Sequence, residues 1–130
     1  QHTVREFVER AFAEVGLTLR FEGEGLDEVG VIDQVDASRL AAALNGEGRP
    51  ESGASLLTGQ TVVRVDEKYY RPTELYCLRG DASKARRTLA WKPCCGLDQL
   101  VTEMIQADVA QARSEVGAGA PLGDRVKVQR

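Results

Sequence analysis

The first 22 residues carry two clear hydrophobic patterns. After Thr3, apolar side chains recur every three or four residues, and this spacing predicts a helix over about residues 4–15. Thr3 followed by Glu6 is the capping-box pattern at the helix start, and Gly16 supplies a left-handed stop at its end. Residues 17–22 then alternate between apolar and polar, which predicts a half-buried strand.

Hydrophobic periodicity weakens in the middle of the chain. Residues 26–59 mix a short helical candidate at 38–44 with several Gly, Asn and Pro positions, so we expect a long excursion with partial order. Residues 60–65 are rich in β-branched side chains and predict a second strand. That strand leads into a charged and aromatic segment, and strand ends are where open α/β sheets usually bind ligands.

Two further helices are predicted in the last third of the chain. Asp81 is a plausible cap for the first, which cannot continue far because of Pro93. The second is a longer amphipathic helix that extends to about Arg113. Trp91 lies between them, and we expect it to be a buried anchor that packs the two helices together, in preference to a stacking platform.

Composition narrows the function classes. A chain of 130 residues has the length of one domain, which we place at residues 1–115, with an inserted excursion at about 28–59 and a flexible tail at 116–130. A net charge of −3 offers no basic stripe for nucleic acid. There is no apolar run of the roughly 18 residues that a membrane span needs, so we expect a cytoplasmic protein that does not bind membranes.

Several motifs of catalysis and cofactor binding are missing from the sequence. There is no Gly-x-Gly-x-x-Gly loop and no tyrosine with a lysine four residues on, so a nicotinamide-binding half is absent. Cys77, Cys94 and Cys95 lack Cys-x-x-Cys spacing, and we expect reduced structural thiols, with a reactive or adventitious metal-binding role as the alternative. His2 gives little support for a metal site or a general base.

The segment with the clearest chemistry is Arg71-Pro72-Thr73-Glu74. The planar fork of arginine can hold two phosphate oxygens, and Pro72 biases Arg71 toward an extended conformation. If Pro72 begins a helical turn, Glu74 faces the same side and can accept hydrogen bonds from both hydroxyls of a ribose. The alternative is a surface ion pair between Arg71 and Glu74, worth about 0.3 kcal/mol.

The residues just before this segment are also polar or aromatic. Asp66, Glu67 and Lys68 could form a catalytic cluster, but a charge run at the end of a strand is more typical of a solvated loop. Of Tyr69 and Tyr70, we expect one ring to face the core and the other to face a nucleobase.

The chain carries several linked motifs in a fixed order. They are His2 to Glu9, Val65-Asp66, Tyr69 to Glu74, Gly80 to Ala85, Leu89 to Pro93, Leu100 to Met104 and Ala107-Asp108. Together these motifs resemble the GDP-mannose 4,6-dehydratase family. Their order and spacing match over nearly the whole chain, apart from residues 28–59 and the tail. Ala90 stands where the family frequently has glycine.

This resemblance implies the C-terminal substrate-binding portion of an extended short-chain dehydrogenase/reductase, an α/β unit of a few helices and short strands. NADP and the catalytic Thr, Glu and Tyr-x-x-x-Lys would belong to an N-terminal Rossmann domain absent from this chain, so the chain alone is expected to be inactive. The implied reaction converts GDP-mannose to GDP-4-dehydro-6-deoxy-D-mannose, toward GDP-fucose.

Two site residues carry over from the resemblance. Arg71 would be the diphosphate clamp and Glu74 the ribose partner, while no catalytic, cofactor or metal residue maps onto this chain. A homo-oligomer, often a tetramer, is implied. The alternatives are part of another nucleotide-sugar dehydratase, reductase or epimerase, or a stand-alone nucleotide-binding or interaction module.

Overall fold

The computed structural model describes three parts of the chain: residues 1–44, 57–69 and 79–117. Within them the chain forms a small α/β unit of four helices and a three-stranded antiparallel sheet. Short 3₁₀ turns occupy Gly25–Asp27 and Glu67–Tyr69. The helices are α1 (Val4–Glu14), α2 (Ala37–Ala43), α3 (Ser83–Leu89) and α4 (Leu97–Gly117), and the strands are β1 (Leu17–Glu22), β2 (Val29–Val35) and β3 (Thr61–Arg64).

Helix α1 confirms the prediction from hydrophobic spacing. The Thr3 hydroxyl oxygen accepts the backbone N–H of Glu6 at 3.0 Å, which satisfies one free donor of the first turn. The Glu6 carboxylate contacts His2 at 3.0 Å and Arg10 at 2.7 Å. The hydrogen bond with His2, and then that with Arg10, lower the pKa of Glu6.

The sheet has the order β1-β2-β3, and β1 and β3 confirm the two predicted strands. Strand β2 lies in a region for which we predicted only an excursion with a short helix, so that expectation was incomplete. Gly30, Val31 and Ile32 are three consecutive buried positions in this central strand, which removes the alternation that usually reveals a strand. Helix α2 confirms the short helical candidate.

Helix α1 packs against both β1 and α4. Val101 of α4 is 1% exposed and, with Val31 and Ile32, forms the fully buried core of the described residues. At the edge of the α1–α4 contact, the Thr102 hydroxyl donates to the Glu14 carboxylate at 3.1 Å. Helix α4 continues to Gly117, beyond the end that we predicted, and residues 118–130 of the predicted tail lie outside the described residues.

Both ends of α2 are held by side chains, the first from its own N-cap residue and the second from α4. The Asp36 carboxylate accepts the backbone N–H groups of Ser38 and Arg39, each at 3.0 Å. The Arg113 guanidinium donates to the carbonyl of Ala42 at 2.7 Å and to that of Ala43 at 2.6 and 2.9 Å. Because a helix leaves its last carbonyls unpaired, Arg113 both caps α2 and attaches it to α4.

Gly16 joins α1 to β1 at a position where only glycine fits easily. Its φ of +84° is left-handed, as predicted. Its carbonyl accepts the N–H of Asp36 at 2.8 Å, so the turn lies against the start of α2. A Cβ added here would meet the carbonyl oxygen of Asp36 and the Cβ of Arg39, each at 2.8 Å.

Two expectations about the α3–α4 region were wrong. Helix α3 begins at Ser83 with Ala82 as its N-cap, so Asp81, the predicted cap, lies one residue before the N-cap. Trp91 is 47% exposed and is therefore no buried anchor. The reason lies in Ala90, whose left-handed backbone (φ 51°, ψ 24°) ends α3 and turns the chain before Trp91.

We predict that Gly16→Ala destabilises the protein much more than Gly59→Ala does. Gly59 is also left-handed (φ +86°), but a Cβ there would meet nothing within 4 Å. Gly59→Ala should therefore cost only the backbone term of about 1–2 kcal/mol, whereas Gly16→Ala should add about 1–3 kcal/mol of overpacking. Urea unfolding followed by circular dichroism measures both, and equal losses would contradict the close packing at Gly16.

We also predict that Ala90→Gly stabilises the protein. Glycine relieves a left-handed strain of about 1–2 kcal/mol and adds an unfolded-state entropy cost of about 0.5–1 kcal/mol, so a net gain of about 0.5–1 kcal/mol is expected. Ala85→Gly, inside the same helix, should instead cost about 1 kcal/mol. The two midpoints in urea should shift in opposite directions, and a loss for both would show that Ala90 is unstrained.

Candidate functional site

The two predicted site residues, Arg71 and Glu74, lie outside the described residues, as does Tyr70. The described chain reaches Tyr69 before this segment and continues at Arg79 after it. The geometry of the site is therefore defined by the residues that precede and follow the Arg-Pro-x-Glu motif.

The approach to the motif is a short, solvated turn. After β3, the Asp66 carboxylate accepts the N–H of Lys68 at 2.9 Å and the Asp66 carbonyl accepts the N–H of Tyr69 at 3.0 Å. Residues 66–69 are all exposed, which confirms the prediction of a solvated loop and gives no support to a catalytic cluster. The turn is held by hydrogen bonds within residues 66–69, and the motif follows it in sequence.

Tyr69 presents its ring to solvent. It is 60% exposed, so it is not the core-facing tyrosine of the pair. The Lys68 ammonium lies 5.3 Å from the ring centroid, within the range of a cation–π contact. An exposed aromatic face next in sequence to the motif is available for stacking on a flat ligand group.

The antiparallel sheet removes the strand-end reason for placing the ligand site after β3. The rule that ligands bind beyond the carboxyl ends of strands applies to open sheets of parallel strands. Since β3 pairs with β2 in the antiparallel direction, that rule does not apply here. The residues around the motif, and not the sheet topology, therefore indicate where the site lies.

A cavity of about 310 Å³ is lined by residues that follow the motif in sequence, beginning at Arg79. Two guanidinium groups and one carboxylate give its lining an excess of positive charge. Most of the lining residues belong to the loop before α3 and to its first residue. The lining residues are Arg79, Gly80, Asp81, Ala82, Ser83 and Arg86.

Asp81 is fixed within this cavity by Ser83. Its carboxylate accepts the Ser83 hydroxyl at 2.5 Å and the Ser83 backbone N–H at 2.9 Å. The hydroxyl bond, and then the backbone bond, lower the pKa of Asp81, which therefore stays ionised at neutral pH. Because Ser83 is already occupied, the side-chain donors left for an anion among these lining residues are the guanidinium groups of Arg79 and Arg86.

Sequence reasoning did not find this pair of arginines. Arg86 was assigned to the solvent-facing side of its helix, and it is exposed, but it also lines the cavity. Arg79 carried no motif of its own. The available signal was the placement of one arginine on each side of Gly80-Asp81, close after the Arg-Pro-x-Glu segment.

The cysteines meet only part of the expectation. Cys94 and Cys95 are free, as expected, and both are exposed, which gives no support to a structural role for these two. Cys77 lies outside the described residues. Within residues 1–44, 57–69 and 79–117, no three His, Cys, Asp or Glu side chains converge to hold a metal ion.

None of the helices in the described ranges combines the length and the apolar character that crossing a bilayer requires.

Comparison with known proteins gives one consistent result. The family model described as GDP-mannose 4,6 dehydratase matches residues 1–104. Similar relatives are the GDP-mannose 4,6 dehydratases of Cricetulus griseus, 41% identical over 117 residues, and of Homo sapiens, 39% identical over 117 residues. The GDP-mannose 4,6-dehydratase of Vibrio cholerae is 36% identical over 113 residues.

These alignments cover very different shares of the two partners. They include 90%, 90% and 87% of this chain, but 25%, 25% and 27% of the relatives. The chain thus spans about a quarter of the length of the relatives that it matches. The resemblance read from the linked motifs is confirmed, and the chain belongs to the GDP-mannose 4,6-dehydratase family.

Proposed function

We propose that this chain is the substrate-binding portion of a GDP-mannose 4,6-dehydratase. The observation that carries the proposal is the family match over residues 1–104, which includes the whole Arg-Pro-x-Glu segment. The proposed reaction is loss of water from GDP-mannose to give GDP-4-dehydro-6-deoxy-D-mannose, on the route to GDP-fucose. NADP, when bound, supplies the hydride acceptor and donor for that chemistry.

No residue of this chain is assigned to NADP. The sequence contains neither the glycine-rich loop that lets a dinucleotide approach the backbone nor a Tyr-x-x-x-Lys pair. The cofactor and the proton transfers therefore belong, in this proposal, to parts of the enzyme outside the 130 residues. What these residues contribute is binding and orientation of the nucleotide sugar, and without the rest of the enzyme they should be inactive.

Arg71 and Glu74 have separate tasks in the proposal. The Arg71 guanidinium neutralises the diphosphate with two parallel N–H···O bonds, which are stronger than bonds between neutral groups. The Glu74 carboxylate accepts hydrogen bonds from the two ribose hydroxyls. Neither residue transfers a proton, so both act by fixing the position of the sugar that reacts.

The described surroundings of the motif support an anionic, partly aromatic ligand. Tyr69 offers an exposed ring just before it, and Arg79 and Arg86 give a positive excess to the cavity just after it. A nucleoside diphosphate has a flat base and a charged diphosphate and so can use both kinds of contact. We further propose a cytoplasmic homo-oligomer, with the tetramer as its assembly.

Two other functions remain as alternatives. Another nucleotide-sugar dehydratase, reductase or epimerase would share the arginine clamp but select a different base. A stand-alone nucleotide-binding or interaction module would bind its ligand with no cofactor-binding half present. Calorimetric titration with GDP, UDP and dTDP separates the first alternative, since preference for dTDP or UDP would contradict the GDP-mannose assignment.

We predict that Arg71→Ala weakens GDP binding by about 2 kcal/mol, roughly 30-fold, because a charge-assisted bidentate contact is lost. Arg71→Lys should recover only part of the affinity, since lysine keeps the charge but not the fork. Calorimetric titration of this chain with GDP measures the dissociation constants.

The matched control for this experiment is Arg87→Ala. Arg87 is exposed on α3 and does not line the cavity formed by Arg79 and Arg86, so its removal takes away the same charge without changing that lining. Affinity should stay within about twofold, as for a surface charge that is largely screened by salt. An unchanged dissociation constant for Arg71→Ala, or an equal loss for both variants, would remove the clamp assignment.

A further inference from the structure

Cys94 and Cys95 form an exposed pair of adjacent thiols in the loop between α3 and α4. The Cys95 thiol donates to the carbonyl of Gly96 at 3.4 Å, and no other hydrogen bond of either sulfur is present among the described residues. The loop is bounded by Pro93 and by the first turn of α4. The two sulfur atoms therefore belong to a short stretch of chain whose ends are held.

A disulfide between these two cysteines would be strained. Neighbouring Cα atoms across a trans peptide are about 3.8 Å apart, whereas disulfides usually join Cα atoms about 4.4–6.8 Å apart. A third atom inserted between the two sulfurs relaxes this constraint, because the sulfurs then need not be in bonding contact. Adjacent thiols are thus better suited to hold a bridging atom than to bond to each other.

The electrostatics of the pair also disfavour oxidation. Packing around its sulfur, then the Glu103 carboxylate and Cys94, raise the pKa of Cys95. The thiolate is the form that attacks peroxide and disulfides, so a raised pKa keeps Cys95 poorly reactive toward them at neutral pH. Condensation of thiols with an oxygen-bearing metalloid differs, because it releases water and needs no oxidant.

The number of available donors limits which centre can bind. A closed tetrahedral zinc site requires four ligands, and no group of three His, Cys, Asp or Glu side chains is present in the described residues. Two adjacent thiols instead suit a thiophilic metal or metalloid atom that needs only two sulfur ligands. That condition is met by trivalent organoarsenicals.

We propose that Cys94 and Cys95 are a bidentate site for a soft, thiophilic trivalent metalloid. With phenylarsine oxide, two As–S bonds form while both S–H bonds and the arsenic–oxygen bond break. The two protons leave with the oxygen as one water molecule, and neither arsenic nor sulfur changes oxidation state. The site uses neither Arg71 nor Glu74, so its test does not depend on the proposed function.

Phenylarsine oxide is the probe, and Trp91 is a built-in reporter. The chain has a single tryptophan, three positions before Cys94, so its fluorescence should change on binding. The titration uses the Cys77→Ser background to leave only the adjacent pair. We expect one arsenical per chain by intact mass, stable to excess 2-mercaptoethanol and removed by 2,3-dimercaptopropanol.

Single substitutions distinguish a chelating pair from one reactive thiol. In the same background, Cys94→Ser and Cys95→Ser should each weaken binding at least about 100-fold, because the second bond is favoured by a high effective concentration. Circular dichroism checks that each variant folds. If either single variant binds like the pair, or if the pair is stripped by monothiol, the proposal is wrong.

Treatment with hydrogen peroxide tests whether a disulfide between Cys94 and Cys95 is disfavoured. After mild treatment with hydrogen peroxide, intact mass should show neither a disulfide nor added oxygen on the pair, since a strained disulfide and a protonated Cys95 disfavour oxidation. A product lighter by two hydrogens, which reducing agent restores, would show that the sulfurs bond to each other readily. That result would overturn the argument that they need a bridging atom.

Discussion

The close approach between Gly16 and the first turn of α2 is the contact on which the arrangement of this chain depends. Asp36 donates its N–H to the Gly16 carbonyl at 2.8 Å, and its carboxylate caps α2. One residue therefore fixes the α1–β1 turn and the β2–α2 turn against each other at the same end of the sheet. Because β1 and β2 are paired along their length, this contact also determines where α1 lies on the sheet.

Several further attachments are polar and lie at the surface. Ion pairs join Arg5 to Glu28 and Arg10 to Asp98, linking α1 to the segment before β2 and to the start of α4. Such exposed pairs contribute little each, about 0–1 kcal/mol. The cap that Arg113 provides differs, since it pairs carbonyls that otherwise face the end of a helix without partners. Orientation in this unit thus comes from a few specific polar contacts as much as from its small core.

The sequence predicted those elements whose local signals agree with their burial. Helix α1 has a cap, a periodic face and a glycine stop, and β1 alternates cleanly, so both were found. Strand β2 was missed because its buried residues are consecutive. Trp91 was misassigned because residue type indicates burial but says nothing of the left-handed turn at Ala90. The candidate site was recognisable only as a set of linked motifs, and the arginines beside it looked like an ordinary solvated helix face.

The backbone conformation at Ala90 gives a physical reason for the glycine of the family pattern. The resemblance implies glycine at this position, and the backbone here is left-handed, a conformation that glycine adopts without strain. The requirement is therefore set by the turn that ends α3, whichever residue occupies it. An alanine keeps the turn at an energetic cost and still presents the Trp-Lys-Pro sequence after it. The residue before Trp-Lys-Pro is therefore constrained by the backbone turn that ends α3, independently of any contact that Trp91 makes.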